Sequence, residues 1–190
     1  MSASLNERLN QILGLITAPS FLSGKGIGNE IACYIFDYEP DDELKVRDHL
    51  KTLESHLSSH HGSLHVAHVN LFDVVIDYLE HRNLLDGTMK METDKGSRAV
   101  LQALKGPIAA EKIRDFIEQK YTPAMLDLCL MSGVGSVWPL LRAHNLLNCL
   151  HTILGDTPLV MFYPGSYTGT SLSLFKQIGS PLVEAGSQSY

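Results

Sequence analysis

The feature that most constrains the fold is the alternation of short apolar runs with segments of helical spacing. Apolar runs of about four to eight residues are typical of strands covered on both faces. Strands that alternate with helices predict a mainly parallel sheet with helices on both sides and right-handed crossovers. We therefore predict a three-layer α/β fold with about four or five strands. The four apolar runs lie at 31–36, 64–71, 125–131 and 159–163.

Between these runs, apolar residues recur at helical spacing, and Pro40 suits the first turn of a helix. Residues 85–95 are polar and weakly patterned, so we interpret them as a connection or an insertion that opens a helical excursion over 85–121. Residues 179–190 are expected to hold at most one short strand, and the whole chain, 1–190, to form one domain. Helices are predicted at 5–17, 40–57, 71–85, 97–104, 109–120, 139–154 and 172–178.

Composition excludes several classes of protein. A formal charge of −6 argues against free-standing nucleic-acid binding, which requires a basic face. No apolar run reaches the roughly 18 residues that a bilayer requires, and the N-terminus lacks the pattern of a secretory signal. We expect a cytoplasmic protein without a membrane segment.

Metal and redox chemistry find little support in the sequence. The three cysteines lie far apart in apolar settings, which is typical of buried thiols in a reducing compartment. The nine histidines follow no metal-ligand spacing, and the His60–His61 pair lies in a polar turn. We expect neither a metal nor a cofactor.

Three glycines and a lysine in the segment SGKGIG suggest a phosphate-binding loop. A P-loop must leave a strand and enter a helix, with a serine or threonine after its lysine. Here Gly24, Gly26 and Gly28 follow a helix and precede a strand, and Lys25 is followed by glycine. The segment is not a Walker motif, and a tight entry into the first strand is the simpler explanation.

Ligand sites of α/β proteins form beyond the carboxyl ends of the strands, where four segments should converge. The segment SGVGS leaves a strand and is predicted to enter a helix, so its N–H groups could hold an anion, although it lacks a lysine. A triad hydrolase is not indicated because no GxSxG elbow is present. The candidate residues at the four strand ends are Asp37, Tyr38, Asn70, Ser132, Gly133, Gly135, Ser136, Tyr163, Gly165 and Tyr167.

Two ionisable residues of the following helix allow two interpretations each. Arg142 either pairs with a carboxylate such as Asp37 or Asp73 or binds a ligand, and His144 is either packed and hydrogen-bonded or catalytic. Aromatic residues of the strand-end loops could likewise be exposed interface anchors or pack beneath their loops. These aromatics are Trp138, Tyr163 and Tyr167.

Three long blocks of sequence resemble the BrxB family, which is encoded in BREX bacteriophage-defence loci. The blocks are FLSGKGIGNEIACYIFDYEP, SGVGSVWPLLRAHNLLNCL and GDTPLVMFYPGSYTGTSLSLF, and the resemblance extends from about Leu5 to Phe175. It implies a role in a multi-protein system that methylates host DNA and blocks phage replication. It also implies a parallel α/β domain shaped like P-loop NTPases but without a Walker lysine. The family has no assigned catalytic residues.

The resemblance also implies partners. Other BREX proteins are expected, the alkaline-phosphatase-like PglZ component first, and the methyltransferase or the large ATPase next. Together with the missing catalytic pattern, it favours an assembly subunit that is not an enzyme. The acidic helix Asp41–Leu57 is either a complementary surface or simply a solvated face. The alternative is an anion- or nucleotide-binding domain, possibly hydrolytic, that uses SGVGS, Arg142 and the YPGSYTG loop.

Overall fold

The computed structural model describes residues 4–23 and 33–167, together with the backbone of two short strand segments nearer the C-terminus. The helices are α1 (Leu5–Ile16), α2 (Pro19–Leu22), α3 (Glu43–His60), α4 (Leu71–His81), α5 (Leu85–Lys95), α6 (Ser97–Leu104), α7 (Ala110–Tyr121) and α8 (Ala143–Leu154). The strands are β1 (Cys33–Tyr38), β2 (Val66–Asn70), β3 (Leu128–Ser132), β4 (Leu159–Pro164), β5 (Ser166–Tyr167), β6 (Leu172–Ser173) and β7 (Val183–Glu184).

The main sheet has the strand order β2-β3-β4-β1-β7. Strands β2, β3, β4 and β1 are parallel, and β7 pairs antiparallel with β1. The register aligns Asp37 with Tyr163 and Asn70 with Ser132, so these four residues lie near the same edge of the sheet. The prediction of a mainly parallel sheet of about four or five strands is confirmed.

Two hydrophobic cores cover the two faces of this sheet, which gives the predicted three layers. Successive side chains of a strand point to opposite faces. Thus Phe36 and Phe162 pack with α1 and α3, whereas Ile35 and Met161 pack with α4, α7 and α8. All of these positions are fully buried, which explains why the strands read as continuous apolar runs.

Helices α1 and α4 begin where the sequence provides a capping side chain. Ser4 Oγ accepts a hydrogen bond from the Glu7 N–H, and Glu7 Oε2 accepts one from the Ser4 N–H at 2.7 Å. Asn70 Oδ1 accepts the Phe72 N–H at 3.1 Å, so the residue that ends β2 also starts α4. Side chains that accept orphan N–H groups stabilise a helix start by roughly 1 kcal/mol each.

Several predicted boundaries were wrong. Residues 85–95 form helix α5, whose absence of buried residues explains the weak apolar pattern. The helix predicted from residue 139 begins only at Ala143, and the third strand begins at Leu128 because Pro123–Met125 form a 3₁₀ turn. Within the predicted helix 172–178, the first two residues instead form β6, which pairs with β5.

The remaining residues of that predicted helix lie outside the described part of the chain, as do Gly24, Lys25, Gly26 and Gly28. No helix among the described residues is both long and apolar enough to cross a bilayer. Cys129 is buried, as expected, and burial raises the pKa of its thiol to about 12. Cys33 and Cys149 are only half-buried, so the prediction of three buried thiols was wrong for these two.

Candidate functional site

The carboxyl end of β1 is held by a buried ion pair. Arg8 Nη2 of α1 donates to Asp37 Oδ1 and to the Asp37 backbone oxygen, both at 2.8 Å. The Tyr167 N–H donates to Asp37 Oδ2 at 3.2 Å, and the Arg8 guanidinium lies 4.6 Å from the centre of the Phe36 ring. Asp37 therefore joins α1, β1 and the segment after β4, which is a structural role.

Tyr38 joins β1 to the start of α3. Its hydroxyl donates to Glu43 Oε2 at 2.5 Å, and Arg47 Nε donates to Glu43 Oε1 at 2.9 Å. Burial, followed by the hydrogen bond to Glu43, raises the pKa of Tyr38 above its ordinary value. Its proton therefore stays in place at neutral pH, and Tyr38 acts as a fixed hydrogen-bond donor.

The glycines of SGVGS allow two strand-end loops to approach closely. Gly133 has φ +71°, and a Cβ there would lie 2.2 Å from Asn70 Oδ1. A Cβ at Gly135 would lie 2.5 Å from Pro164 Cγ. SGVGS leads into a 3₁₀ turn, Gly135–Val137, and α8 starts only at Ala143, so the predicted entry into a helix is wrong. Close packing, and not an anion cradle on a helix, accounts for these glycines.

Ser132 belongs to a hydrogen-bonded row that the sequence did not predict. His68 Nε2 lies 2.7 Å from Ser132 Oγ, and His68 Nδ1 lies 3.1 Å from Glu54 Oε1. We call this set the Ser-His-Glu triad. A polar histidine inside the apolar strand VAHVN was the signal that could have indicated it. Its partners are distant along the chain, and helical spacing placed Glu54 only on a solvated face.

Three large apolar side chains are exposed after the carboxyl ends of three strands, of which β2 and β3 are neighbours while β4 separates β3 from β1. Leu44, Phe72 and Trp138 are 71%, 45% and 54% exposed, and they follow β1, β2 and β3 respectively. Helix α4 contacts the 3₁₀ turn that precedes Trp138. Arg47 lies three residues after Leu44 in α3, and its Nη2 is 3.5 Å from the Oγ of Ser136, which belongs to the 3₁₀ turn before Trp138. We call Leu44, Phe72 and Trp138 the strand-end face.

Exposed carboxylates lie close in sequence to Leu44 and Phe72 of the strand-end face. Glu39 and Asp41 precede α3, Asp73 lies beside Phe72, and all three side chains are exposed. Positive charges are present as well, since Lys45 and Arg47 of α3 are exposed, although each forms an ion pair with a carboxylate of its own segment. Arg142 is exposed at the start of α8. Acidic residues beside apolar side chains would match a partner surface with basic residues around an apolar pocket.

The other predicted site residues take different positions. Tyr163 is buried and therefore is not an exposed anchor. Burial also raises the pKa of its hydroxyl to about 12. Tyr167 is half-buried. Gly165 is buried, and its N–H donates to the Tyr38 backbone oxygen at 2.8 Å. Among the three predicted aromatic anchors, Trp138 is the exposed one.

Arg142 and His144 do not complete a binding site among the described residues. Asp37 pairs with Arg8 and not with Arg142, and Arg142 makes no ion pair with Asp73 in the described part of the chain. His144 is exposed, not packed, and its Nε2 lies 3.4 Å from Asn148 Nδ2. Across residues 4–23 and 33–167, no three His, Cys, Asp or Glu side chains are arranged to hold a metal ion.

Comparisons with known proteins agree with one another. A family model described as BREX protein BrxB matches residues 67–181. A curated BREX protein BrxB from Escherichia coli O9:H4 (strain HS) is 41% identical over 98% of this chain and 88% of the relative. A BREX protein BrxB from Bacillus cereus (strain H3081.97) is 40% identical over 92% of this chain and 91% of the relative. No solved structure matches.

Proposed function

Because the chain belongs to the BrxB family of BREX proteins, we propose that it is an assembly subunit that docks onto another BREX protein through the strand-end face. The favoured partner is the PglZ-like component, followed by the methyltransferase and the large ATPase. Docking does not require this chain to catalyse a reaction. The expectation that the chain is not an enzyme stays a prediction.

The exposure of Leu44, Phe72 and Trp138, which all follow carboxyl ends of parallel strands, supports this proposal. Aromatic side chains supply a large share of interface energy when a partner desolvates them. Rigid elements present the face, since Phe72 lies in the first turn of α4 and Leu44 in the first turn of α3. The exposed carboxylates close to it in sequence favour a basic partner surface, and they would speed association at low ionic strength.

Size-exclusion chromatography with light scattering tests this role on the full chain mixed with the PglZ-like component of its own locus. We expect co-elution at a defined stoichiometry. Trp138→Ala combined with Phe72→Ser should weaken binding by about 2 kcal/mol or more, which is roughly thirtyfold in Kd. The matched control is Met125→Ser, because Met125 is also a large exposed apolar residue but precedes β3 at the opposite edge of the sheet.

Two results would contradict the proposal. Separate elution at micromolar concentrations from the PglZ-like component, the methyltransferase and the large ATPase alike would remove the docking role. Co-elution that Met125→Ser weakens as much as the Trp138 and Phe72 changes would move the interface away from the strand-end face.

A further inference from the structure

We propose that the Ser-His-Glu triad is a nucleophilic site that transfers the acyl group of small carboxylic esters to water. Ser132 would be the nucleophile, His68 the general base and Glu54 the group that orients His68. The site is separate from the docking role and runs against the sequence-based expectation that the chain is not an enzyme.

The geometry supplies the first argument. Nucleophilic catalysis by serine needs a base within hydrogen-bond reach and a third group that orients the base. His68 Nε2 is 2.7 Å from Ser132 Oγ, and the opposite ring nitrogen is 3.1 Å from Glu54 Oε1. With the Nδ1–H donated to Glu54, Nε2 is the atom left to accept the serine proton. Such triads are recognised by geometry and not by order in the chain.

The position of Ser132 supplies the second argument. It is the last residue of β3, at the carboxyl edge where α/β folds place their sites. Gly133 follows with φ +71°, so the backbone turns sharply directly after the serine. In α/β-hydrolases the nucleophile also occupies a sharp turn after a strand, and the N–H of the next residue contributes to the oxyanion hole. The corresponding donor here is the Gly133 N–H.

Burial sets the limits of this chemistry. Ser132 is 6% exposed, and the side chains of His68 and Glu54 are 16% and 42% exposed. The triad reaches solvent through Glu54, next to the edge strand β2. Because little of Ser132 is exposed, we expect only small acyl groups to reach its hydroxyl. Because solvent screens the charge of Glu54, its support of His68 is weak. We therefore expect reaction with activated esters and slow turnover.

The proposed reaction consumes only the ester and water, and it releases the alcohol and the carboxylic acid. Ser132 Oγ attacks the carbonyl carbon of the ester while its proton passes to His68 Nε2. The ester C–O bond then breaks, and the alcohol leaves with that proton. Water attacks the acyl-serine and gives a proton to His68, which returns it to Ser132 Oγ as the carboxylic acid is released.

A fluorophosphonate probe tests the nucleophile on this 190-residue chain, with peptide mass spectrometry to locate the label. We expect one label, on Ser132, and its absence in Ser132→Ala. His68→Gln should slow labelling about a hundredfold or more, and Glu54→Gln should slow it less because Glu54 is partly exposed. Ser55→Ala is the matched control, since it removes an exposed serine beside Glu54 and should label as the parent protein does.

Circular dichroism and the melting temperature of each variant separate lost reactivity from lost fold. Hydrolysis of p-nitrophenyl acetate should fall in parallel with labelling in Ser132→Ala. An unlabelled Ser132 in folded protein would overturn the proposal, and so would labelling spread over exposed serines such as Ser136. Equal labelling rates in folded His68→Gln and parent protein would also overturn it. None of these results affects co-elution with a BREX partner, so the two proposals fail separately.

Discussion

The carboxyl ends of β1 and β3 are both polar, but they differ in what surrounds them. At β1, Asp37 and Arg8 are buried and form an ion pair, and the Tyr167 N–H donates a hydrogen bond to the second carboxylate oxygen of Asp37. At β3, Ser132 begins a row of hydrogen bonds that ends at the partly exposed Glu54. The polar groups at the β1 end are paired within the protein, whereas the hydrogen-bonded groups at the β3 end reach solvent beside the edge strand β2.

This difference separates a structural end from a functional one. Buried, paired charges hold elements in a fixed arrangement, and removing one partner is costly. At the β2 and β3 ends, Glu54 and the side chains of Phe72 and Trp138 are exposed and can contact a ligand or partner. We therefore expect changes at the β1 end to lower stability, and changes at the β2 and β3 ends to lower function.

The largest effect is expected for Arg8→Ala. It leaves the buried Asp37 carboxylate without its guanidinium, and such uncompensated charges cost about 3–5 kcal/mol. Urea denaturation measures the free energy of unfolding. The control is Lys51→Ala, whose ion pair with Asp48 is exposed on both sides and should contribute less than about 1 kcal/mol. A loss below about 1 kcal/mol for Arg8→Ala would erase the distinction between the two strand ends.

A smaller loss of stability is expected for Gly133→Ala. The new Cβ would lie 2.2 Å from Asn70 Oδ1 at a backbone φ of +71°, which disfavours an L side chain. We expect a loss of about 2 kcal/mol or more. The matched change is Gly87→Ala in α5, where nothing lies within 4 Å. There alanine should stabilise the helix by roughly 0.5–1 kcal/mol. Equal effects of the two changes would show that the loop after β3 relaxes freely.

The sheet could be predicted from the sequence because its strands are buried on both faces and flanked by helically spaced segments. Helix α5 could not, since it buries no residue and so leaves no apolar stripe. Nor could the β6 pairing at Leu172–Ser173, because a two-residue strand depends on its partner and not on its own pattern.

The sequence indicated where in the fold the candidate residues lie, but not which side chains they contact. The sequence predicted that Asp37, Asn70 and Ser132 lie at one edge of the sheet, because parallel strands bring their carboxyl ends together, and the register places them there. Their role in a binding site stays a prediction. Arg8 is 29 residues from Asp37, and His68 is 64 residues from Ser132. Contacts at such separations follow from how α1 and β2 pack, which no local spacing in the sequence reveals.

His49 should make the layer of α1 and α3 sensitive to acid. Burial lowers the pKa of its imidazole, although a hydrogen bond to the Leu9 backbone acts in the opposite direction. The unfolded chain, with a His pKa near the ordinary 6.5, binds more protons in the interval below that value. Stability is therefore fully present above about pH 6.5 and falls as the pH drops towards the lowered pKa.

His49→Leu removes that titration. Melting temperatures between pH 7.5 and pH 5 should fall less steeply in this variant than in the parent protein. Leucine removes no hydrogen bond at Nε2, which is buried without one in the described part of the chain, but it removes the hydrogen bond to the Leu9 backbone. The test is therefore the slope of the pH profile and not the absolute melting temperature. Parallel pH profiles of the two proteins would assign the acid sensitivity to other groups.

The smallest effect on stability is expected for Trp138→Ala, although this change should have a large effect on docking. Trp138 is 54% exposed, so truncation removes little buried area and should change the free energy of unfolding by less than about 0.5 kcal/mol. Urea denaturation of the isolated variant provides the test. A loss above about 1 kcal/mol would mean that the indole supports the turn beneath it. The β3 end would then be structural like the β1 end, and weakened docking by this variant could no longer be assigned to a lost contact with the partner.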